Sequence, residues 1–288
     1  MDLFDTLVDD ILSRNEDLLT LRPVVEKEVF HQEILREMSE AGFFKDLTFI
    51  GGTCLRDCYS SPRLSEDLDF STGIDIDMEL FHRLGETCKE KIAERYGLPV
   101  EVTAPEKEIT DTRTWKIKVI TRPEQPHLPS QRVHIDICSV PSFDRRPVML
   151  KDHYGIAAGT SGLILYAESK EEILCDKHIA LALRPNRVKQ RDLWDILWLD
   201  NQSVNINTEL TRKKLTSREI PAEEFLEAYK TRLEIIDTDE GHKAFLFELR
   251  RFLPQKTVRK DLAKPEYWTV LIDTLQDAYK RMSTDTVS

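Results

Sequence analysis

Ile50-Gly51-Gly52-Thr53, followed by Ser65-Glu66-Asp67-Leu68-Asp69-Phe70, is the stretch on which the fold turns. A short apolar run, Leu47-Thr48-Phe49-Ile50, reads as a strand and stops at two glycines. Glycine permits a tight turn and lets a ligand come close to the backbone. A helix starting at Thr53 would aim its unbonded N–H groups above that turn, a natural seat for phosphate. An ordinary strand-to-helix turn would look the same at this point. The second segment narrows the choice. Strand periodicity sends Asp67 and Asp69 to one face and turns Leu68 and Phe70 toward a core. Neighbouring carboxylates repel, and a hard cation such as Mg²⁺ between them removes that cost.

A third carboxylate follows from the same periodicity. In Val133-His134-Ile135-Asp136-Ile137-Cys138 the apolar residues share one face, and His134, Asp136 and Cys138 share the other. Alone, Asp136 would read as a solvent-facing aspartate. Beside Asp67 and Asp69 it completes the set that holds two metal ions in nucleotidyl transfer.

Outward from these strands, the first forty residues read as helix. Residues 24–38 form an amphipathic segment with its charges mostly on one side. Residues 77–96 return to a helical pattern, and strands are expected over 115–121 and 132–140. Pro123, Pro126 and Pro129 mark a loop between those two strands, since a central strand would not accept them. Strand signals end with Leu163-Ile164-Leu165-Tyr166. Helices are then expected over 170–183, 191–199, 221–235, 242–252 and 265–282, with Ser169 as N-cap and Glu171 and Glu172 in the first turn. The expected fold class is α/β: a mixed-sheet domain over residues 1–165, then an all-helical domain over 166–288.

Composition limits the rest. The chain has 288 residues, 40% hydrophobic and 32% charged, enough for one large or two moderate folded domains. Lys and Arg number 41 against 52 Asp and Glu, a formal net charge of -11. Such a chain does not coat nucleic acid through overall charge, so any contact must use a local basic patch. No apolar stretch approaches a membrane span, and the N-terminus lacks the basic start of a signal peptide. Five cysteines without a C-x-x-C pair suit reduced thiols in a cytoplasmic protein.

In the helical half, Lys177 falls in the middle of an apolar face formed by Ile173, Leu174, Ala180 and Leu181. An inward lysine either snorkels to water or points its ammonium at something anionic, such as nucleotide phosphates. Arg191-Asp192-Leu193-Trp194-Asp195 opens a helix apolar nearly all round, so both aspartates need partners. Asp195 lies four residues after Arg191, at the spacing of a local ion pair. His178 sits on a different face from Lys177 and reads as structural. Arg212-Lys213-Lys214, Arg250-Arg251, the basic residues of 256–264, and Arg184, Arg187, Lys189 and Arg191 are basic clusters. The last is the candidate for contact with an RNA acceptor.

Taken together, Gly51-Gly52-Thr53-Cys54-Leu55-Arg56 and Arg63-Leu64-Ser65-Glu66-Asp67-Leu68-Asp69-Phe70 resemble the AbiEii/AbiGii toxin family of the DNA polymerase β nucleotidyltransferase superfamily. Cys54 stands where the family usually has Ala. Glu171-Glu172 through Lys177, then Ala180-Leu181, and Arg191-Asp192-x-x-Asp195 match the family's later motifs. The resemblance runs motif by motif over residues 49–199. It implies NMP transfer from an NTP, with two Mg²⁺ on Asp67 and Asp69 and with Asp136 completing the site. Gly52, Thr53 and Ser65 would contact the triphosphate, Lys177 would stabilise its charge, and Asp192 would orient Lys177 or act near the attacking hydroxyl. The helical domain would thus contribute Lys177 and Asp192 to the site.

Relatives among the MenT toxins imply that the acceptor is the 3′ end of tRNA, whose extension blocks translation, and that a cognate antitoxin exists. The alternatives are NMP transfer to a protein or small-molecule hydroxyl, or a nucleotide-binding module without catalysis. Phosphorylation of Ser65 would set negative charge against Asp67 and the incoming triphosphate and silence the enzyme.

Overall fold

The computed structural model describes residues 3–73, 81, 83–105, 111–125, 127–155 and 160–285. Most of the first turns expected of the helix over 77–96, and Pro126, lie outside them. The chain divides into two compact units, Met1–Glu168 and Ser169–Ser288.

The first unit is built on a seven-stranded mixed sheet: β1 (Thr48–Ile50), β2 (Leu68–Ser71), β3 (Val100–Thr103), β4 (Thr112–Val119), β5 (Gln131–Cys138), β6 (Arg145–Met149) and β7 (Ile164–Glu168). Their order is β3-β4-β5-β2-β1-β7-β6. The β1–β7 and β2–β5 pairs are parallel and the other pairs antiparallel. Two of these strands, β3 and β6, carry no clear signal in the sequence. Both sit at a sheet edge and pair on one side only, so neither needs full apolar alternation. β6 holds Pro147, which an edge strand tolerates.

Apolar residues alternate with polar ones where the site will be. Leu68 and Phe70 on β2, Trp115, Ile117 and Val119 on β4, and Val133, Ile135 and Ile137 on β5 are buried. Phe70 stacks on Phe49 of β1 with ring centroids 5.0 Å apart. The intervening residues face the other side of the sheet, where Asp69 and Asp136 are half-buried.

Among the described residues the α-helices of this unit include α1 (Leu3–Arg14), α2 (Arg22–Glu40), α3 (Gly51–Tyr59) and α4 (Leu84–Tyr96). The expected one-sided charge on residues 24–38 does not hold. Glu26, Glu28, Glu33 and Glu37 of α2 are all buried, at most 3% exposed. Each is paired with a cation. Glu26 meets Arg22 at 3.0 Å and Arg122 at 2.6 Å, and Glu33 meets Arg95 at 3.1 Å. Glu37 binds Arg36 at 2.5 Å. Glu28 receives the Arg56 guanidinium of α3 at 3.1 and 3.2 Å and the Ser65 N–H at 3.1 Å. The Tyr154 hydroxyl donates to the same carboxylate. Buried carboxylates persist only when paired in this way.

The second unit is helical: α5 (Lys170–Leu183), α6 (Gln190–Asn201), α7 (Thr208–Ser217), α8 (Ala222–Ile236), α9 (Asp239–Leu249) and α10 (Pro265–Asp285). Ser169 caps α5 by accepting the Glu172 N–H at 3.1 Å. Asn207 and Thr238 cap α7 and α9 in the same way. The sequence pattern misses α7, whose buried apolar stripe is only Leu210 and Leu215. None of the described helices is long and apolar enough to cross a membrane.

Replacing Glu28 by Ala strips the buried Arg56 of its counter-charge and the Ser65 N–H of its acceptor. The expected loss is about 3–5 kcal/mol of stability, read as a fall in the denaturant midpoint. A midpoint within error of the parent would show that this pairing does not hold the first unit together.

Candidate active site

The glycine turn joins β1 directly to α3. The helix begins at Gly51, two residues before the expected Thr53, because Gly51 adopts φ +76° and turns the chain at once from extended to helical. Backbone conformation demands glycine at Gly51, and at Gly52 a side chain would displace the end of Arg63. A Cβ on Gly51 would lie 2.7 Å from Asp69 Oδ2, and one on Gly52 would lie 2.6 Å from Arg63 Nη2. No side chain caps the first turn of α3. Its N–H groups suit an anion.

Asp69 is level with Ile50 across the antiparallel β1–β2 pair and with Asp136 across the parallel β2–β5 pair. Register therefore sets Asp69 and Asp136 side by side on one face. Asp67, two residues before Asp69, lies 3.4 Å through Oδ1 from His134 Nδ1. Thr114 on β4 donates to Asp136 Oδ1 at 2.6 Å. Thr53 Oγ1 bonds the Asp67 carbonyl and lies 2.7 Å from Ser65 Oγ. The second-segment loop is held from behind as well, since His31 Nε2 lies 2.9 Å from the Glu66 carbonyl and Lys27 pairs with the Glu66 carboxylate at 2.9 Å.

Ser65 is only 5% exposed, so a modifying enzyme could reach its hydroxyl only if this loop opened. Two neighbours of the site went unassigned in the sequence: His134 and Arg63. The signal for His134 was its place on the Asp136 face; for Arg63 it was burial, which sequence does not show.

The three aspartates offer hard oxygen donors of the kind Mg²⁺ takes. Among the described residues no three His, Cys, Asp or Glu side chains converge as a preformed ion site would require.

In the second unit, Lys177 is 8% exposed and its ammonium lies between two carboxylates, 2.7 Å from Asp192 Oδ1 and 2.8 Å from Asp195 Oδ2. Arg184 reaches Asp192 Oδ2 at 2.9 Å. Burial opposes ionisation of Asp192, yet Lys177, Lys189 and Arg184 outweigh it and hold the carboxyl below the usual range. Asp195 thus shares Lys177 with Asp192, while Arg191 lies 3.3 Å from Glu248 and stacks over Phe252, 4.3 Å from the ring centroid.

These contacts revise the basic clusters. Arg184 and Arg191 are engaged within the unit, and Lys214 is buried between Glu172 at 2.7 Å and Asp176 at 2.6 Å. His178 is structural, as its position suggests. Its Nδ1 lies 2.7 Å from the Tyr229 hydroxyl, and burial drives its pKa down to about 3.

With this geometry in view, comparison with known proteins assigns the chain. The family model "Nucleotidyl transferase AbiEii toxin, Type IV TA system" matches residues 33–273. The chain belongs to the AbiEii family. This AbiEii protein is accordingly a nucleotidyltransferase of the type IV toxin–antitoxin class. Among solved structures it is similar to MenT4, a nucleotidyltransferase toxin from Mycobacterium tuberculosis, at 16% identity and a TM-score of 0.58, covering 97% of this chain and 92% of that one. It is also similar to JHP933 from Helicobacter pylori, at 17% identity and a TM-score of 0.49, covering 91% and 94%. At such identities the MenT4 likeness shows a shared fold. No curated protein gives a significant sequence match.

Gly51→Ala forces a side chain into φ +76° and against the Asp69 carboxylate. It should cost about 1–2 kcal/mol of stability and displace Asp69. Calorimetry and transfer activity measured on one preparation would show both losses together.

Acid should weaken the fold through His178. Its folded pKa lies below the unfolded value near 6.5, so the unfolded chain takes up a proton that the folded chain refuses. Stability is then complete above about pH 6.5 and falls by about 1.4 kcal/mol per pH unit toward pH 3. Denaturation of His178→Gln at several pH values should remove that one-proton slope.

Proposed function

We propose that this AbiEii protein transfers a nucleoside monophosphate from an NTP to the 3′ end of tRNA, with Mg²⁺, and thereby blocks translation in the cytoplasm. The observation that carries the reading is the register of Asp69 beside Asp136, with Asp67 on the same face and the uncapped α3 N-terminus adjoining. That arrangement offers a cation-binding carboxylate face next to an anion seat, which the two ends of a metal-bound triphosphate require.

In the reaction, the acceptor hydroxyl oxygen forms a bond to the α-phosphorus, and the bond from that phosphorus to the bridging oxygen of the β-phosphate breaks. Pyrophosphate leaves with the electron pair. The hydroxyl proton passes to Asp136 or to solvent beside it. Asp67, Asp69 and Asp136 would hold two Mg²⁺, which when bound neutralise charge on the triphosphate. Gly52 would let the backbone come close to the phosphates, and the buried Thr53 and Ser65 would hold that turn against the segment bearing Asp67. Within the helical unit, Asp192 would act as a positioning residue that fixes the Lys177 ammonium. A cognate antitoxin is the partner that family membership suggests.

Incubation of the purified chain with Mg²⁺, each labelled NTP in turn and total tRNA, resolved on a denaturing gel, tests the reading. Label should enter tRNA, and Asp67→Ala should lower transfer by about a thousandfold or more. Label on protein, or none on RNA under any NTP, would refute the tRNA acceptor.

A further inference from the structure

The face of the sheet that bears the aspartates continues into a basic stripe. On β4 and β5 the residues sharing that face are Thr114, Lys116 and Lys118, and Arg132, His134 and Asp136. Register sets them in rungs: Thr114 opposite Asp136, Lys116 opposite His134, and Lys118 opposite Arg132. Lys116 and Arg132 are exposed, Lys118 is half-buried, and His134 is 40% exposed. Glu101 on β3 pairs with Lys118 at 3.0 Å, a solvent-exposed contact that salt and a competing anion readily displace.

The chain carries a net charge of -11, so three cations gathered on one strand pair next to three carboxylates are a local reversal of sign. Such a reversal beside a site that handles phosphates calls for a second polyanion, distinct from the NTP seated at the glycine turn.

We infer that the phosphodiester backbone of the RNA acceptor lies along this stripe, on Lys116, Lys118 and Arg132, and delivers its terminal hydroxyl to Asp136. The inference rests on the proposed RNA acceptor and says where that acceptor binds. Alternate residues of a strand are about 6.8 Å apart, a spacing that lets flexible lysine and arginine ends reach successive phosphates of a single strand. The rungs run away from Asp136 in order, so a strand following them ends at the carboxylates. The clusters that sequence favoured are less suitable, because Arg184, Arg191 and Lys214 are held in internal ion pairs. Arg187, Arg212 and Lys213 also remain exposed, and Lys256, Arg259 and Lys260 form an exposed group that serves as the comparison surface.

Binding of 5′-labelled deacylated tRNA to the full chain without NTP, by fluorescence anisotropy across a salt series, tests this apart from chemistry. The Lys116→Gln/Lys118→Gln/Arg132→Gln variant should bind on the order of a hundredfold more weakly at 0.1 M salt. Its slope of log affinity against log salt should shrink by about 2, as for three lost single-strand phosphate contacts. The Lys256→Gln/Arg259→Gln/Lys260→Gln variant, with the same change of charge, should bind like the parent. Thermal unfolding of each variant confirms that it is folded.

Equal losses in both variants, a loss confined to the second, or no tRNA binding by the parent would overturn the inference. Transfer to tRNA by a stripe variant that binds like the parent would overturn it while leaving the proposed function intact. Stripe-dependent tRNA binding without transfer would instead refute the proposed reaction and leave the surface standing.

Discussion

One carboxylate without access to water organises the first unit. Glu28 accepts two N–H bonds from Arg56, one from the Ser65 backbone and one from the Tyr154 hydroxyl. Those four donors come from α3, from the loop before β2 and from the segment after β6. A buried charge left with fewer partners is costly, so the three segments cannot shift independently of α2. Because α3 begins at the glycine turn and the loop ends at Asp67, the phosphate seat and the carboxylates are positioned from the same anchor. Thr53 closes the arrangement from the front through the Asp67 carbonyl.

The helical unit uses the same device twice with opposite sign. Lys177 lies between Asp192 and Asp195, and Lys214 between Glu172 and Asp176. Arg218 joins the second group at 2.7 Å from Asp176. Burial there works against an ionised Asp176, but Lys214 and Arg218 hold its carboxyl below its ordinary range. Both lysines fall in α5 or α7, and their partners pin α5 to α6 and α7. Basic residues that look like surface charge in the chain are therefore internal links, and the surface available to a polyanion is smaller than the count of Lys and Arg suggests.

What the sequence discloses follows the range of the forces involved. Alternation around Asp67 and Asp136 is local, each strand carrying its own evidence, so the carboxylate face could be read directly. The partners of Glu26, Glu28 and Glu33 are Arg122, Tyr154 and Arg95, up to 126 residues away. Nothing in the helical repeat of α2 announces them, and its glutamates look solvent-facing. Lys177 is recognisable in the chain as an inward cation needing an anion, and Arg191 and Asp195 stand at ion-pair spacing. That Asp195 also meets Lys177 follows from the packing of α5 on α6, which spacing along one helix does not show. The edge strands are hard to read for a related reason, as each pairs through its backbone on one side only and needs no regular apolar alternation.

The outermost strand, β6, also limits what can attach to the sheet. Proline lacks an N–H, and an edge strand accommodates it with the nitrogen turned outward. With Pro147 at its centre and Arg145 and Arg146 before it, the free border of β6 lacks an uninterrupted row of donors and carries like charges. Those features disfavour an extended peptide or a second copy adding a strand there. Contacts at this border run through side chains, with the Arg145 guanidinium over the Tyr166 ring, 4.8 Å from its centroid, and Arg146 paired with Asp144 at 2.9 Å.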